Sequence, residues 1–200
     1  MIGIVDYDAG NITSVSNALT SAGAEFLVSG ESKVLARCDG IILPGVGAAP
    51  GAMASLNERK LTGFLGSLEV PVLGICLGMQ VLFESSEEGN TTCLGVLPGV
   101  VKKFDDRVSK VPHMGWNRVD VTSKNPLIGD APNSEFYYFA NSYAAEVDGS
   151  TIGISHCEVP FSAAVARGNY YGVQFHPEKS GIAGLAILKN FEALCRSYRR

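Results

Sequence analysis

Two short segments of the 200-residue chain carry residue types able to perform covalent chemistry. The first is Gly74-Ile75-Cys76-Leu77-Gly78, an apolar run that ends on a cysteine between small residues. Where an apolar strand turns sharply into a helix, the residue at the turn is exposed, and glycines on either side leave room for the bend. A cysteine there meets the N-terminal N–H groups of the next helix, which favour an anionic, nucleophilic sulfur. The N–H of Leu77, the residue after the nucleophile, is a natural oxyanion donor. By itself the pattern also describes a small residue at a crowded turn, so it needs partners.

The second segment supplies them: Gln174-Phe175-His176-Pro177-Glu178. Residues i and i+2 of extended chain share a face, so His176 and Glu178 can sit side by side. Glu178 then accepts from one imidazole nitrogen and fixes the tautomer, while the other nitrogen takes the Cys76 proton. A lone His-x-Glu is more often a surface pair at a strand end; the combination with the cysteine motif gives it weight. A third segment, Leu43-Pro44-Gly45-Val46-Gly47, also follows an apolar strand. Its glycines admit positive φ, which can turn an N–H toward a reacting oxygen, and the Val46 amide is expected to be a second oxyanion donor.

These segments need a scaffold that brings strand ends together. Ile2 to Val5, Phe26 to Val28, Gly40 to Leu43 and Val70 to Ile75 read as buried strands. Helical spacing separates them at Asn11 to Ala22, around Met53, Leu56, Leu61 and Leu65, and again at Leu77 to Phe83. Alternation of this kind implies an α/β fold: an open, mostly parallel sheet with helices on both faces and sites at the carboxyl ends of the strands. Farther on, Val96 to Phe104, Trp116 to Val121, Phe136 to Tyr143, Thr151 to Glu158, Ser162 to Ala166 and Tyr170 to Phe175 are strand-like with few helices between, which predicts antiparallel or mixed additions. Ile182 to Tyr198 reads as a closing amphipathic helix. The whole of 1–200 is expected to form one domain.

Composition limits the function. Apolar residues make up 46% and charged residues 18%, with a net charge of -4, which suits a substantial core and argues against broad binding to nucleic acid or anionic membranes. No run reaches the roughly 18 apolar residues of a spanning helix, and the N-terminus lacks a signal-peptide pattern, so a soluble, cytoplasmic protein is expected. Five cysteines without a CxxC and three histidines without ligand spacing suggest neither a metal site nor a disulfide framework. Cys38, Cys93, Cys157 and Cys195 are read as packing residues, His156 as a structural histidine, and Arg196, Arg199 and Arg200 as a solvated helix end.

Taken together, Ile75–Gln80 (ICLGMQ), 173–180 (VQFHPEKS) and 43–47 (LPGVG) resemble the class I, triad-type glutamine amidotransferases. DYDAGN at 6–11, PHMGWN at 112–117 and YFANSY at 138–143 are similar to the branch that serves as glutaminase subunit of imidazole glycerol phosphate synthase, in histidine biosynthesis. The resemblance spans essentially the whole chain. It implies that Cys76 attacks the glutamine side-chain amide, that a glutamyl thioester is hydrolysed, and that ammonia passes to a cyclase subunit of (β/α)₈ barrel fold, in a heterodimer. No cofactor and no metal is implied. It also implies that Gly47, Gln80, Ser142 and Tyr143 hold the substrate, and that Asn11, Trp116, Tyr138 and Lys179 face the barrel, with His113 shaping that surface. Asp8 stands where the family usually has glycine, and Ala140-Asn141 where it commonly has Val-His; both bear on docking and coupling, not on the triad.

Other readings use the same residues. A glutaminase could feed a different acceptor, as in pyridoxal phosphate synthesis, which PGVG and PHMGWN argue against. A cysteine peptidase or related hydrolase could share the scaffold, although Gln80 and His-Pro-Glu favour glutamine. A regulatory module would not need Cys76, His176 and Glu178 intact.

Overall fold

The computed structural model describes residues 1–108, 110–129, 133–157 and 159–198. In chain order the elements are β1 (Ile2–Val5), α1 (Ile12–Ala22), β2 (Phe26–Ser29), α2 (Ser32–Leu35), β3 (Gly40–Gly45), α3 (Ala49–Glu58), α4 (Thr62–Gly66), β4 (Val72–Cys76) and α5 (Leu77–Gln80). They continue with β5 (Ser85–Ser86), β6 (Thr91–Thr92), β7 (Val100–Lys103), β8 (His113–Val121), β9 (Ser134–Asn141), β10 (Tyr143–Ala145), β11 (Thr151–Cys157), β12 (Val159–Arg167), β13 (Tyr170–Val173) and α6 (Gly181–Tyr198). Among the described residues no helix is long and apolar enough to cross a membrane.

The main sheet has the order β2-β1-β3-β4-β13-β12-β11-β8-β9. The first five strands of that order are mutually parallel. The remaining four join antiparallel, as the strand-rich second half predicts. Strand alternation divides the core between the two faces. Ile4, Ile42, Leu73 and Ile75 pack with Val15 and Leu19 of α1 and Ile187, Leu188 and Phe191 of α6. Ile41, Leu43 and Val72 point the other way, onto Leu35 of α2, Leu56 of α3, Leu65 of α4 and Leu77 and Met79 of α5.

Several elements depart from the sequence expectation, among them the strand expected from Val96 to Phe104, which is only Val100–Lys103 because the Val96 and Leu97 N–H groups donate to the Leu82 carbonyl. The helical stretch from Met53 to Leu65 is two helices, because Lys60 takes a left-handed φ of 57° between them. The helix expected from Leu77 to Phe83 stops at Gln80. The carbonyls of Val81, Leu82 and Phe83 instead accept from Leu94, Val96, Leu97 and Gly95, so a neighbouring segment takes the place of the next helical turn. The run expected from Phe136 to Tyr143 breaks at Ser142: β9 stays in the main sheet, while β10 pairs with β7 in a second sheet of order β10-β7-β5-β6. The last strand ends at Val173, not Phe175, and Glu158, Arg199 and Arg200 lie outside the described residues.

Candidate active site

The register of the sheet sets the site. β13 lies beside β4, with Val173 opposite Ile75, and β3 lies on the other side of β4, with Gly45 opposite Cys76. The carboxyl ends of three adjacent strands therefore carry the three segments singled out in the sequence.

Cys76 ends β4 with φ 53° and ψ −111°, a left-handed backbone rare for a residue with a side chain. The glycines around it are required by space. A Cβ on Gly78 would sit 1.8 Å from the Leu43 carbonyl oxygen, and one on Gly74 would sit 2.6 Å from the Gly78 oxygen. α5 thus lies directly on the backbone of β3 and β4. Because α5 is only four residues long, its dipole adds little, and the Cys76 side chain makes no cap hydrogen bond to it.

His176 follows β13 in extended conformation, its N–H donating to the Tyr138 carbonyl at 2.9 Å. Pro177 cannot continue a ladder, and Pro177–Lys179 forms a single 3₁₀ turn. That turn, not a continued strand, brings Glu178 back to His176, with Oε1 2.8 Å from Nδ1. Both side chains are buried, at 4% and 1% exposure. Ser180 fixes the turn by donating from Oγ to the His176 carbonyl at 2.6 Å. α6 packs so closely that a Cβ on Gly184 would meet the Pro177 carbonyl oxygen at 1.9 Å.

Cys76 and His176 face the same cavity, and Cys76 is close enough to raise the His176 pKa. Burial alone would lower the His176 pKa, but its neighbours Cys76 and Glu178 outweigh that and push it up to about 9. The imidazole is accordingly biased toward its protonated form at neutral pH. Elsewhere burial raises the thiols: Cys93 to about 11 and Cys195 to about 12, with Cys38 also above its ordinary value. None of these three is a thiolate at neutral pH.

A cavity of about 280 Å³ opens on Cys76 and His176, and Gly47, Leu77, Gln80, Ser142, Tyr143 and Lys179 line it. The sequence assigned each of these to the site or its rim. Val46 lines it too, but its N–H donates to the Ala9 carbonyl at 2.7 Å. In this arrangement the loop after β1 holds that amide turned away, so it is not placed as an oxyanion donor here. Glycine is needed at two places in this segment for different reasons. Gly47 has φ 102°, whereas a Cβ on Gly45 would meet the Gly78 nitrogen at 2.6 Å and the Tyr7 hydroxyl at 2.8 Å.

Gln80 is positioned differently from a simple substrate donor. Its Nε2 donates to the Tyr143 carbonyl at 2.8 Å and to Gln174 Oε1 at 2.9 Å, so only its oxygen remains to meet a ligand. Trp116 and Tyr138 pack edge to face at 6.3 Å, with Lys179 Nζ 5.8 Å from the Tyr138 ring centre. Trp116 is 58% exposed, and Met114 and Phe136 are exposed with it, an apolar surface beside the cavity rim. Asn11 precedes α1, which contacts the Pro177–Lys179 turn. His113 is half-buried against Phe104, Phe139 and Phe161 rather than at the surface, and burial lowers its pKa. His156 is exposed, contrary to the structural role expected of it.

Sequence reading passed over three residues. Glu88 lines the cavity and accepts from the Ala49 N–H at 2.7 Å through Oε2. Nothing in the run around Glu87 and Glu88 marks one carboxylate as special; the fold alone does so. Tyr7 is fully buried beneath the Leu43–Gly47 segment and donates to the Pro44 carbonyl at 2.7 Å. Its hydroxyl is pushed well above the ordinary phenol range, by burial first and then by nearby Cys76. Gln174 sits inside a quoted motif, two residues before His176, and that spacing was the available signal.

Comparison with known proteins places this geometry. Residues 4–193 match the family described as glutamine amidotransferase class-I. The chain is 46% identical over 204 residues to the imidazole glycerol phosphate synthase subunit HisH of Bacillus cytotoxicus, covering 100% of this chain and 97% of that one. It is 46% identical over 205 residues to HisH of Bacillus cereus, with the same coverage of 100% and 97%. A solved glutamine amidotransferase shares the fold at TM-score 0.76 and 16% identity, covering 98% of each chain. PurLQS from Thermotoga maritima does so at TM-score 0.68 and 20% identity, covering 100% of this chain and 98% of that one.

Proposed function

The chain belongs to the class-I glutamine amidotransferase family, at full length and beside its HisH members, and on that premise we propose that it hydrolyses glutamine at Cys76 and supplies ammonia to an imidazole glycerol phosphate synthase. The observation that carries this reading is the convergence on one cavity of Cys76, at its elbow, and a His176 imidazole that Glu178 orients at 2.8 Å. The cysteine sulfur attacks the carboxamide carbon and the C–N bond breaks, with the departing nitrogen taking its proton from His176. Ammonia leaves a glutamyl thioester. His176, now neutral, takes a proton from water as it attacks the thioester; the C–S bond breaks, giving glutamate and restoring the Cys76–His176 pair.

The cavity suits an amino acid. Glu88 offers a carboxylate to an α-ammonium, and Gln80 offers its amide oxygen to a substrate N–H. Gly47, Ser142 and Tyr143 complete the wall around the rest of the substrate. Leu77 supplies the oxyanion donor of the elbow. Val46 supplies a second only after its N–H leaves Ala9, which gives a resting enzyme a reason to be slow.

The partner is a cyclase barrel, docked on the surface formed by Asn11, Trp116, Tyr138 and Lys179, with Met114 and Phe136 extending it. The experiment is glutamate release from glutamine, with and without the barrel partner and its nucleotide ligand, for the wild-type chain and Cys76→Ser. Strong release only in the ternary mixture, abolished by Cys76→Ser, is expected. Activity retained in Cys76→Ser removes the nucleophile. Release from the chain alone, indifferent to the barrel, keeps the glutaminase and removes this partner.

A further inference from the structure

One backbone oxygen orders the polar wall of the cavity. The Tyr143 carbonyl receives Gln80 Nε2 at 2.8 Å and Asn141 Nδ2 at 3.0 Å. A carbonyl can only accept, so both amides must turn their NH₂ ends toward it. The second Gln80 hydrogen then points at Gln174 Oε1, 2.9 Å away. With its oxygen committed to Gln80, Gln174 has its NH₂ group on the other side, where Nε2 lies 3.6 Å from Cys76 Sγ. The direction of every amide in this row follows from Tyr143, and the row ends on the sulfur as an N–H donor.

Gln174 is fully buried, and its own N–H is held by the Ala163 carbonyl at 2.9 Å. A residue that only filled this space would be apolar, because burying an amide is costly unless its groups are bonded. Its placement differs in kind from that of His176. The imidazole exchanges a proton with the sulfur, and once it has protonated the departing ammonia it no longer offers the same positive charge. An amide N–H cannot be transferred, so its donation to the sulfur persists through the cycle. A fixed donor in a buried site stabilises an anion more than a thiol.

We propose that Gln174 is a catalytic residue for the proposed glutaminase reaction: a permanent N–H donor to Cys76 Sγ that favours the anionic sulfur, both before attack and as the sulfur departs from the thioester. The proposal rests on the assignment of Cys76 as nucleophile. Gln80 acts through it as a positioning residue, because its donor fixes which end of Gln174 faces the sulfur.

The test uses the full chain with its barrel partner and two variants, Gln174→Met and Gln174→Glu. Met removes the donor without adding charge but leaves one Gln80 hydrogen without an acceptor. Glu keeps that acceptor and the shape but replaces NH₂ with oxygen. The loss of the N–H is what they share. Cys76 alkylation by iodoacetamide, located by mass spectrometry, is followed across pH alongside kcat, KM and the thermal midpoint. In both variants the alkylation profile is expected to move to higher pH by about one unit or more, and kcat to fall about tenfold or more with KM changed less than threefold. A packing role would lower the thermal midpoint and leave the pH profile in place. A folded variant of either kind with a wild-type alkylation profile and kcat overturns the proposal. A wild-type chain in which Cys76 is no more reactive than Cys93 instead removes the nucleophile itself; these two failures are distinct.

Discussion

Substituting Gly78 with alanine tests whether the elbow works by contact. A Cβ there would lie 1.8 Å from the Leu43 carbonyl oxygen and 2.8 Å from its carbon, both backbone of β3. Real Cβ contacts essentially never fall under 3.0 Å, so α5 must withdraw from β3 by about 1.2 Å. The flexible end of a side chain could yield, but a central strand with a parallel neighbour on each side cannot. The displaced residues would be Leu77, which carries the proposed oxyanion N–H, and Cys76, whose strained φ of 53° depends on that turn. A misplacement of about 1 Å at reacting groups costs on the order of 100-fold in rate. Overpacking of this kind costs about 1–3 kcal/mol of stability, or roughly 2–12 °C in thermal midpoint for a chain of this length. The control is Gly63→Ala in α4, where a Cβ meets nothing within 4 Å. That change should preserve activity and raise stability by about 0.5–1 kcal/mol. Glutamate release in the presence of the barrel partner, read beside the thermal midpoint, decides the matter. Gly78→Ala with wild-type kcat would refute the claim that α5 rests on β3 at this point.

Other expectations address the groups around the sulfur and the docking surface. Glu178→Gln should lower kcat less than Cys76→Ser, since Glu178 orients His176 without touching substrate; an equal or greater loss in steady-state assays would assign it a larger part. His176 in the folded chain titrates near 9, above its ordinary 6.5. The stability it adds should therefore be fully present below about pH 6.5 and fade as pH rises through about 9. Urea midpoints of wild type and His176→Gln at acidic, neutral and alkaline pH should converge at the alkaline end, and a constant gap would contradict this. Trp116→Ala should weaken barrel binding by about 2 kcal/mol or more, roughly 30-fold, with the far-UV spectrum unchanged; unchanged affinity by calorimetry would move the interface elsewhere.

The alternation of apolar strands and helices over residues 2–76 and the three strand-end motifs could be read without coordinates, because apolar runs, glycines and reactive side chains act over a few neighbouring residues. The same locality allowed Cys76, His176 and Glu178 to be named as a set. Where neighbours far along the chain compete for the same backbone groups, local pattern misled. The segment at 94–97 takes the carbonyls of Val81, Leu82 and Phe83 and ends α5 early. Pairing with β7 draws Tyr143 out of β9's sheet, and that break puts Ser142 and the Tyr143 carbonyl at the cavity. Ala9, distant in the chain, claims the Val46 N–H and reverses the amide that glycine content alone suggested would face the substrate. Glu88 has ordinary sequence surroundings and Gln174 lies in a motif that marked only its neighbours; each gains its role from surroundings that only folding brings near, the cavity in one case and Cys76 Sγ in the other. Which residues could react was legible in the chain itself, since reactivity begins with side-chain type and immediate backbone. Which of those groups are available depended on the folded arrangement, because donors and acceptors in a buried site are satisfied by whichever partner packing delivers.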